Sequence, residues 1–392
     1  MAAADQVFYL FSNEIFSKLP AKAILRIRSF SDPILSFLFD DWFAKQQALT
    51  MNKLNDMSFI VQQEPHFFSH HTLLPEYDND VGIPNNSLKY LSENTSILAS
   101  SGGLLFCKKK AGNYVSNEAF LICNPATQTM MTIPAPDSSL IWENNMLYKV
   151  IFECDSKLGG DDFLLMIIID EDGDWPTTFK SMIYNHETRE WKFVGRDINL
   201  GSRNLINKNN VYYDKGVVHY LSDFNCSYLQ SNRSFYFPYI VAYNIMNSTT
   251  TFLNLPKRAR KGRNHFTCQM GIFQWGNNKE EGQNCRLCLV KIRKDMINVW
   301  VTKNYENSSW THILKKRAMD IGLTEFGSKV SDFRVINGNT LLIAFNKQIY
   351  SYCLNMDDEK AKKICMLEDE SYRMVMYSYS NTLRPLQNSV MF

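Results

Sequence analysis

The sequence lacks a long apolar run. No segment reaches the ~18 uninterrupted apolar residues of a membrane-spanning helix, and polar or charged residues appear by Asp5. We therefore expect neither a membrane span nor a cleaved leader. The expected location is the cytoplasm, the nucleus or both, and the nine cysteines should then be mostly buried, reduced thiols.

Motifs for catalysis are also missing. The sequence has no Gly-x-Ser-x-Gly elbow, no phosphate loop and no His-Glu-x-x-His. The acidic stretch Asp170 to Asp174 could place carboxylates together, as a hydrolase or a calcium site requires, but it lacks the glycine and distal glutamate of a calcium loop. These absences favour a binding protein over an enzyme, and we expect no cofactor.

Metal-ligand spacing is equally scarce. Cys285 and Cys288 form a single pair with only Cys268 nearby, whereas a zinc site needs four ligands. The densest histidine group consists of His66, His70 and His71. It has no cysteine and no acidic residue at ligand spacing, so we expect loop histidines and no metal site.

Charge of one sign is not in excess. The formal net charge of +2 is too small to predict a polyanionic partner. The strongest basic run, Lys257 to Arg263, follows Pro256 and predicts an exposed loop, with a nuclear import signal or an anion-binding patch as alternatives. No basic stripe with interleaved aromatic residues surrounds it, so we do not expect nucleic acid as a partner.

A recurring hairpin is what the sequence does contain. Ala119 to Pro134 predicts a buried strand, a turn at Asn124 to Thr127 and a returning strand. The turn asparagine recurs at intervals of 61, 59, 60 and 51 residues, as Asn185, Asn244, Asn304 and Asn355. We expect each asparagine to hydrogen-bond within its own turn.

Such a period, with about four short strands in each repeat, is typical of β-propeller blades. A β-sandwich with coincidental spacing is the alternative. We expect five or six blades, with the strand near Phe59 completing the last blade at Tyr372 to Tyr379.

The first fifty residues predict three short helices. The first ends at Leu19-Pro20, the second runs from Ala21 to Arg28, and the third carries Ile34, Phe37 and Leu38 on one face. Three short helices have too small a core to be stable alone, so we expect them to dock on something.

Glu14 to Ser31 reads Glu-Ile-Phe-Ser-Lys-Leu-Pro-Ala-Lys-Ala-Ile-Leu-Arg-Ile-Arg-Ser-Phe-Ser, which resembles the F-box of plant F-box proteins. Asp40 to Phe43 resembles the end of that motif. The sequence departs from the family's pattern at Val7-Phe8, Asp32 and Ile34. The repeats resemble the F-box-associated domain that follows the F-box in plants, and the segments that carry this resemblance are Gly103 to Phe106, Asn124 to Thr127, Gly216 to Leu221, Val299 to Val301 and Trp310.

The resemblance implies an α+β multidomain protein, with a three-helix F-box at residues 1–50, a linker with the first strand at 51–95 and an all-β, propeller-like domain at 96–392. It implies a non-catalytic substrate receptor of an SCF-type ubiquitin ligase, which binds a Skp-type adaptor, through it a cullin-RING ligase, and an unknown target protein. A propeller-type hydrolase and a degenerate F-box protein that only binds a partner remain the alternatives. By analogy, the adaptor contact would be carried by Phe11, Ile15, Leu19, Pro20, Leu25, Ile34, Phe37 and Phe43.

Overall fold

The chain divides into two compact units in the computed structural model. The first comprises Met1–Ala135, Phe152–Asp155 and Glu368–Phe392, and the second comprises Pro136–Ile151 and Ser156–Leu367. The structure describes residues 13–29, 33–54, 58–63, 67–73, 88, 91, 95–109, 119–136, 149–154, 163–169, 178–201, 211–222, 238–260, 268–276, 286–323, 330–356, 360–367, 374–386 and 390–391.

The first unit contains an N-terminal helical segment and two sheets. A helical turn at 13–16 precedes helix α1 (Ala21–Arg28), a 3-10 helix (Pro33–Phe39) and helix α2 (Asp41–Leu54). One sheet has the order β2-β1-β24, with β1 (Ser58–Gln63), β2 (Phe67–Thr72) and β24 (Met374–Tyr379). The other has the order β25-β6-β5-β4-β3, with β3 (Thr95–Ser101), β4 (Leu104–Lys109), β5 (Ala119–Asn124), β6 (Thr129–Ile133) and β25 (Val390–Met391).

The second unit contains four sheets, with consecutive strands as neighbours. The first consists of β7 (Lys149–Cys154), which crosses the unit boundary, β8 (Phe163–Ile169), β9 (Thr178–Asn185), β10 (Glu190–Phe193) and β11 (Ile198–Asn199). The second consists of β12 (Val211–Asp214), β13 (Val217–Leu221), β14 (Tyr239–Asn244) and β15 (Thr249–Asn254), and is followed by the short helix α3 (Lys257–Arg260).

The third sheet of this unit consists of β16 (Gln269–Trp275), β17 (Arg286–Arg293), β18 (Met296–Asn304) and β19 (Ser309–Arg317), and leads into a 3-10 helix (Ala318–Ile321). The fourth consists of β20 (Asp332–Ile336), β21 (Thr340–Phe345), β22 (Gln348–Cys353) and β23 (Lys362–Met366).

Within the sheets of the second unit, the central strands are more buried than the last strand. Strand β8, Phe-Leu-Leu-Met-Ile-Ile-Ile, is buried at every position, whereas the outer strands β10, β15 and β23 are mostly exposed. A strand covered on both faces needs a continuous apolar run, while a strand at a sheet edge tolerates polar residues on both faces. In each four-stranded sheet of the second unit the last strand, β15, β19 or β23, is the most exposed one, and the central strands supply the regularly spaced apolar runs of the sequence.

A strand near the start of the chain meets a strand near its end, as the sequence predicted. Strand β1 pairs antiparallel with β24, with Phe59 opposite Ser378. The first strand therefore completes the last sheet, which leaves fewer unpaired strand edges. Strand β24 begins at Met374, two residues after the predicted Tyr372, and ends at the predicted Tyr379.

The recurring asparagines form one kind of hairpin turn. In four hairpins the asparagine Oδ1 accepts a backbone N–H of its own turn, which confirms the expected turn chemistry. The donors following Asn124, Asn185, Asn244 and Asn304 are Ala126, Glu187, Met246 and Asn307, at 2.9, 2.9, 2.9 and 3.1 Å. The residue four places after each asparagine has a positive φ, namely Gln128, Arg189, Ser248 and Ser308. Asn355 lies outside this pattern, because β22 ends at Cys353 and β23 begins only at Lys362.

The helical segment differs from the three predicted helices. The predicted third helix is a 3-10 helix, Pro33–Phe39, and the longest helix, Asp41–Leu54, was not predicted. Pro-Ile-Leu-Ser-Phe-Leu-Phe has branched and aromatic residues of low helix propensity, whereas Ala44 to Leu49 are good helix formers and Asp41 is favourable in a first turn. Helix α1 begins after Pro20 and covers the predicted span.

A buried histidine connects two sheets of the second unit. His219 on β13 hydrogen-bonds through Nδ1 to the Tyr212 carbonyl oxygen at 3.2 Å and through Nε2 to the Tyr305 hydroxyl at 2.8 Å. Because the carbonyl can only accept, Nδ1 carries the proton and Nε2 accepts from Tyr305. Burial lowers the pKa of His219 to about 4, an effect that the bond to Tyr212 partly offsets.

We expect the asparagine turns to differ in energetic weight. Asn185→Ala removes bonds to two backbone N–H groups on an exposed turn and should cost about 1 kcal/mol of unfolding free energy. Asn124 is buried and also donates to the Thr382 and Arg384 carbonyl oxygens, both at 3.0 Å. Asn124→Ala should therefore cost roughly 2–4 kcal/mol of unfolding free energy, because it leaves two buried carbonyl groups without their donor. Urea denaturation of both variants checks this, and equal losses would contradict it.

We also expect stability to depend on pH through His219. Its pKa is about 4 in the fold and about 6.5 in the unfolded chain. The stability that the fold gains from a neutral His219 is fully present above pH ~6.5. It is lost as the pH falls towards 4, because the unfolded state then binds more protons than the folded state. His219→Gln should reduce that loss by up to about 3 kcal/mol. Thermal unfolding of both proteins between these pH values measures it, and an unchanged pH slope in the variant would refute it.

Candidate functional site

The residues predicted to bind the adaptor differ in accessibility. Phe37 and Phe43 are buried, with 5% and 0% exposure, and Ile15 is 48% exposed. Leu19, Pro20 and Leu25 are half-buried. Phe11 and the side chain of Ile34 lie outside the described residues, as do Val7-Phe8 and Asp32. The predicted set therefore does not form one accessible surface.

The buried members belong to the core of the first unit. Phe37 contacts the rings of Phe16 and Phe43, with centroids 5.9 and 5.6 Å apart. The same cluster contains Ile60 of β1 and Tyr377 of β24. The helical segment thus completes its core against the two sheets of this unit, which confirms the expectation that it docks.

One buried side chain connects the helices to the segment Asn381–Arg384. Gln47 of α2 is fully buried, and its Nε2 donates to the Leu19 carbonyl oxygen at 2.9 Å and to the Asn381 carbonyl oxygen at 3.5 Å. Its Oε1 accepts the Leu383 N–H at 2.8 Å. The Ala21 N–H, which has no partner inside α1, donates to Asn381 as well, at 3.1 Å.

The segment Asn381–Arg384 also holds the turn before β4. The Thr382 hydroxyl and Arg384 Nε each donate to the Gly102 carbonyl oxygen at 3.0 Å. Gly103 has φ +87°, and a Cβ there would lie 2.0 Å from Thr382 Oγ1. Only glycine fits both the backbone conformation and this close approach.

The helical segment keeps a set of exposed apolar side chains. Besides Ile15, these are Phe39 and Trp42, with 59% and 51% exposure. The Arg28 guanidinium lies 5.0 Å from the centre of the Phe39 ring, and its Nε donates to the Leu38 carbonyl oxygen at 3.1 Å. Partial burial lowers the pKa of Arg28 from its usual value.

Sequence reasoning did not include Phe39 and Trp42 in the adaptor contact. The available signal was helical geometry, since Trp42 and Phe43 are adjacent on α2 and must point about 100° apart. With Phe43 inside, Trp42 faces outward.

Two members of the histidine group, His70 and His71, lie in strand β2 and not in a loop, which corrects the sequence-based expectation. The His71 ring contacts Phe59 at 5.5 Å, and the His70 ring meets Tyr379 edge-on at 5.6 Å. Burial lowers the pKa of His70 to about 3, and the charges of His71 and Lys22 add to the effect. His66 lies outside the described residues. Within the described ranges no cluster of three potential ligands could hold a metal ion.

The other residues that the sequence analysis considered as possible sites do not come together in the described structure. Cys288 is buried in β17, where burial raises the pKa of its thiol, and Cys268 is buried just before β16. Lys257–Arg260 forms helix α3, although a loop was expected there. Cys285, Asp170 to Asp174 and the end of the basic run, 261–263, lie outside the described residues. No helix in the described ranges is long and apolar enough to cross a membrane.

We expect Gln47 to be more important for stability than its neighbour Gln46, which is half-buried on the same helix. Gln47→Ala leaves the Leu19 carbonyl and the Leu383 N–H without their partner and should cost roughly 2–4 kcal/mol. The control Gln46→Ala should stay within about 0.5 kcal/mol of the parent. Urea denaturation distinguishes the two variants, and similar losses of unfolding free energy would show that the Gln47 hydrogen bonds do not add to stability.

Comparison with known proteins agrees with this architecture. Residues 48–386 match the family described as the F-box associated beta propeller domain. An F-box protein of Arabidopsis thaliana is 20% identical over 312 residues, which cover 76% of this chain and 75% of that protein. The six sheets of the described residues account for six blades of such a domain.

Solved structures are only distantly similar. A post-proline cleaving enzyme from Rickettsia typhi is 11% identical with a TM-score of 0.39, covering 84% of this chain and 56% of the enzyme. The Aleuria aurantia lectin is 7% identical with a TM-score of 0.36, covering 70% of this chain and 77% of the lectin. Similarity at this level supports no functional inference. The family match extends over most of the sequence, and the chain belongs to the F-box associated β-propeller family.

Proposed function

We propose that the protein is the substrate-recognition subunit of an SCF-type ubiquitin ligase. The observation that carries this proposal is the F-box associated domain match over 48–386, preceded by a helical segment whose sequence from Glu14 to Ser31 is like an F-box. The helical segment would bind a Skp-type adaptor and through it a cullin-RING ligase. The β domain would hold the target protein, and the complex would work in the cytoplasm, the nucleus or both.

Such a receptor acts by proximity. Holding the target beside the ubiquitin-charged enzyme raises the local concentration of target lysines, in the way that a linker raises the effective concentration of a second binding partner. The receptor itself then needs no catalytic side chain. A propeller-type hydrolase using Asp170 to Asp174 has no supporting observation.

The exposed apolar set of the helical segment is the proposed adaptor contact. Phe37 and Phe43 would have to leave a packed core to reach a partner, which would expose large aromatic surfaces at a high cost. Ile15, Phe39 and Trp42 are accessible without such a change. Large aromatic side chains of this kind often contribute most to protein interfaces. Half-buried Leu19, Pro20 and Leu25 would lie at the margin of the contact.

The burial of Phe37 and Phe43 also favours a second candidate function. If the adaptor needs those two side chains, the protein is a degenerate F-box protein that binds its partner without recruiting a ligase. Adaptor binding by the intact chain distinguishes the two functions.

We expect the full-length protein to co-purify with a recombinant Skp-type adaptor. The double variant Ile15→Asp, Trp42→Asp should weaken binding by roughly thirtyfold or more, because it places charges in the apolar contact. Met246→Asp is the matched control, since Met246 is 72% exposed on a hairpin turn of the second unit, and it should bind normally. Isothermal titration measures all three proteins.

Two results would overturn the proposed contact. If the parent chain does not bind the adaptor at micromolar concentration, the ligase function fails and the second candidate stands. If the parent binds and the folded Ile15, Trp42 double variant binds equally well, the adaptor uses another surface.

A further inference from the structure

Basic side chains converge on one face of the β16–β19 sheet. Lys291 of β17 lies opposite Asn298 of β18, which in turn lies opposite Lys315 of β19. The next row on the same face is Arg293, Met296 and Arg317. Side chains directly opposite each other in a sheet lie about 5 Å apart at Cβ, so four cations occupy two adjacent rows.

Helix α3 brings further cations to this face. Lys291 Nζ donates to the Ala259 carbonyl oxygen at 2.6 Å, which fixes α3 against the sheet. Arg258 is exposed and Arg260 is half-buried. Arg258 and Lys315 both lie close enough to His312 of β19 to lower its pKa, after burial as the larger cause. We call the following set the basic face: Arg258, Arg260, Lys291, Arg293, Lys315 and Arg317.

Among the residues that the structure describes, few acidic side chains balance the basic face. Asp295 and Asp320 lie nearby, but Asp320 Oδ2 accepts the Arg317 backbone N–H at 3.2 Å. In the part of the chain that the structure describes, Arg258, Arg293, Lys315 and Arg317 form no ion pair with a carboxylate. The Arg293 Nε atom is buried and has no hydrogen-bond partner among the described residues. An unpaired buried donor costs free energy that an incoming anion would recover.

Protection of a sheet edge explains only part of this arrangement. Strand β19 is the last strand of its sheet, and exposed lysines on such strands discourage aggregation. That role suits Lys315 and Arg317. It does not explain Lys291, which is 7% exposed, or Arg293, because both lie on β17, which is not an edge strand.

We propose that the basic face binds an anionic peptide segment of the target, through carboxylate or phosphate groups. The inference rests on the proposed function, because it assigns a chemical class to the target that a receptor would hold. Exposed Lys315, Arg317 and Arg258 make the first contacts. Arg293 then donates from the less accessible strand β17, where charge-assisted hydrogen bonds are stronger because water is partly excluded.

Charge and composition favour a peptide over nucleic acid. The chain has a net charge of only +2, so the basic face is a local patch and not part of an extended positive field. An aromatic ring on the same sheet face, Trp300, is 4% exposed and already stacked on His312 at 4.8 Å. Nucleic-acid strands usually need exposed rings on which bases stack.

The test uses fluorescein-labelled peptides and the full-length chain in anisotropy titrations. One peptide alternates glutamate with threonine, a second alternates phosphoserine with threonine, and a neutral control alternates glutamine with threonine. Single-stranded polyuridylate is the nucleic-acid probe. The variant Lys315→Glu, Arg317→Glu is compared with Lys362→Glu, Lys363→Glu, which makes the same charge change on β23, another outer strand. Arg293→Gln tests the contribution of strand β17.

We expect at least one anionic peptide to bind and the neutral peptide to bind far more weakly. The β19 variant should weaken anionic binding by about tenfold or more, Arg293→Gln should weaken it to a smaller degree, and the β23 control should not change it. Stronger binding of the phosphoserine peptide would assign phosphate as the preferred group, and stronger binding of the glutamate peptide would assign carboxylate. Raising the salt concentration should weaken binding, because it shortens the range of the charges.

Three outcomes overturn the inference: neither anionic peptide binds, the β19 and β23 variants behave alike, or polyuridylate binds more tightly than both anionic peptides through the same residues. Adaptor binding by the same preparations keeps the two proposals separate. If it persists while the anionic peptides fail, the basic face is excluded and the receptor function is not.

Discussion

The buried segment after β24 must satisfy its backbone hydrogen bonds without a strand partner. Asn381 to Arg384 runs through the core of the first unit with no regular secondary structure, and buried N–H and C=O groups are costly when unpaired. Side chains from distant positions supply the partners. Gln47 bonds to Asn381 and Leu383, and Asn124 bonds to the carbonyl groups of Thr382 and Arg384. These contacts connect the helical segment, the β5–β6 hairpin and the segment Asn381 to Arg384.

This constraint determines what the helical segment can offer to a partner. Residues such as Phe37 and Phe43 fill the core that the helices share with β1 and β24. The side chains that remain available are those on the opposite side of the same helices, including Trp42. An adaptor contact at this segment would therefore be a surface on a rigid support, and the helices need not fold during binding. The fixed support reduces the entropy that binding must overcome.

The repeated turn illustrates how one residue type can serve two roles. In the hairpins of Asn185, Asn244 and Asn304 the asparagine side chain is used within the turn, on the surface. Asn124 makes the same turn contact with Oδ1, and its Nδ2 donates to the carbonyl oxygens of Thr382 and Arg384. The local role follows from the turn sequence alone. The second role depends on residues more than 250 positions away and leaves no local signal.

Local physical chemistry accounts for what the sequence alone determined. Apolar runs, asparagine turns and Pro20 before α1 act over a few neighbouring residues. They therefore predicted many of the strands, four of the five recurring turns and the second helix. Tertiary structure decided the rest. Whether Phe43 or Trp42 faces the core, and whether Lys291 and Lys315 lie in one row, depends on which distant segments pack or pair together. A single sequence does not specify those pairings, because contacts between distant residues arise only when the whole unit folds.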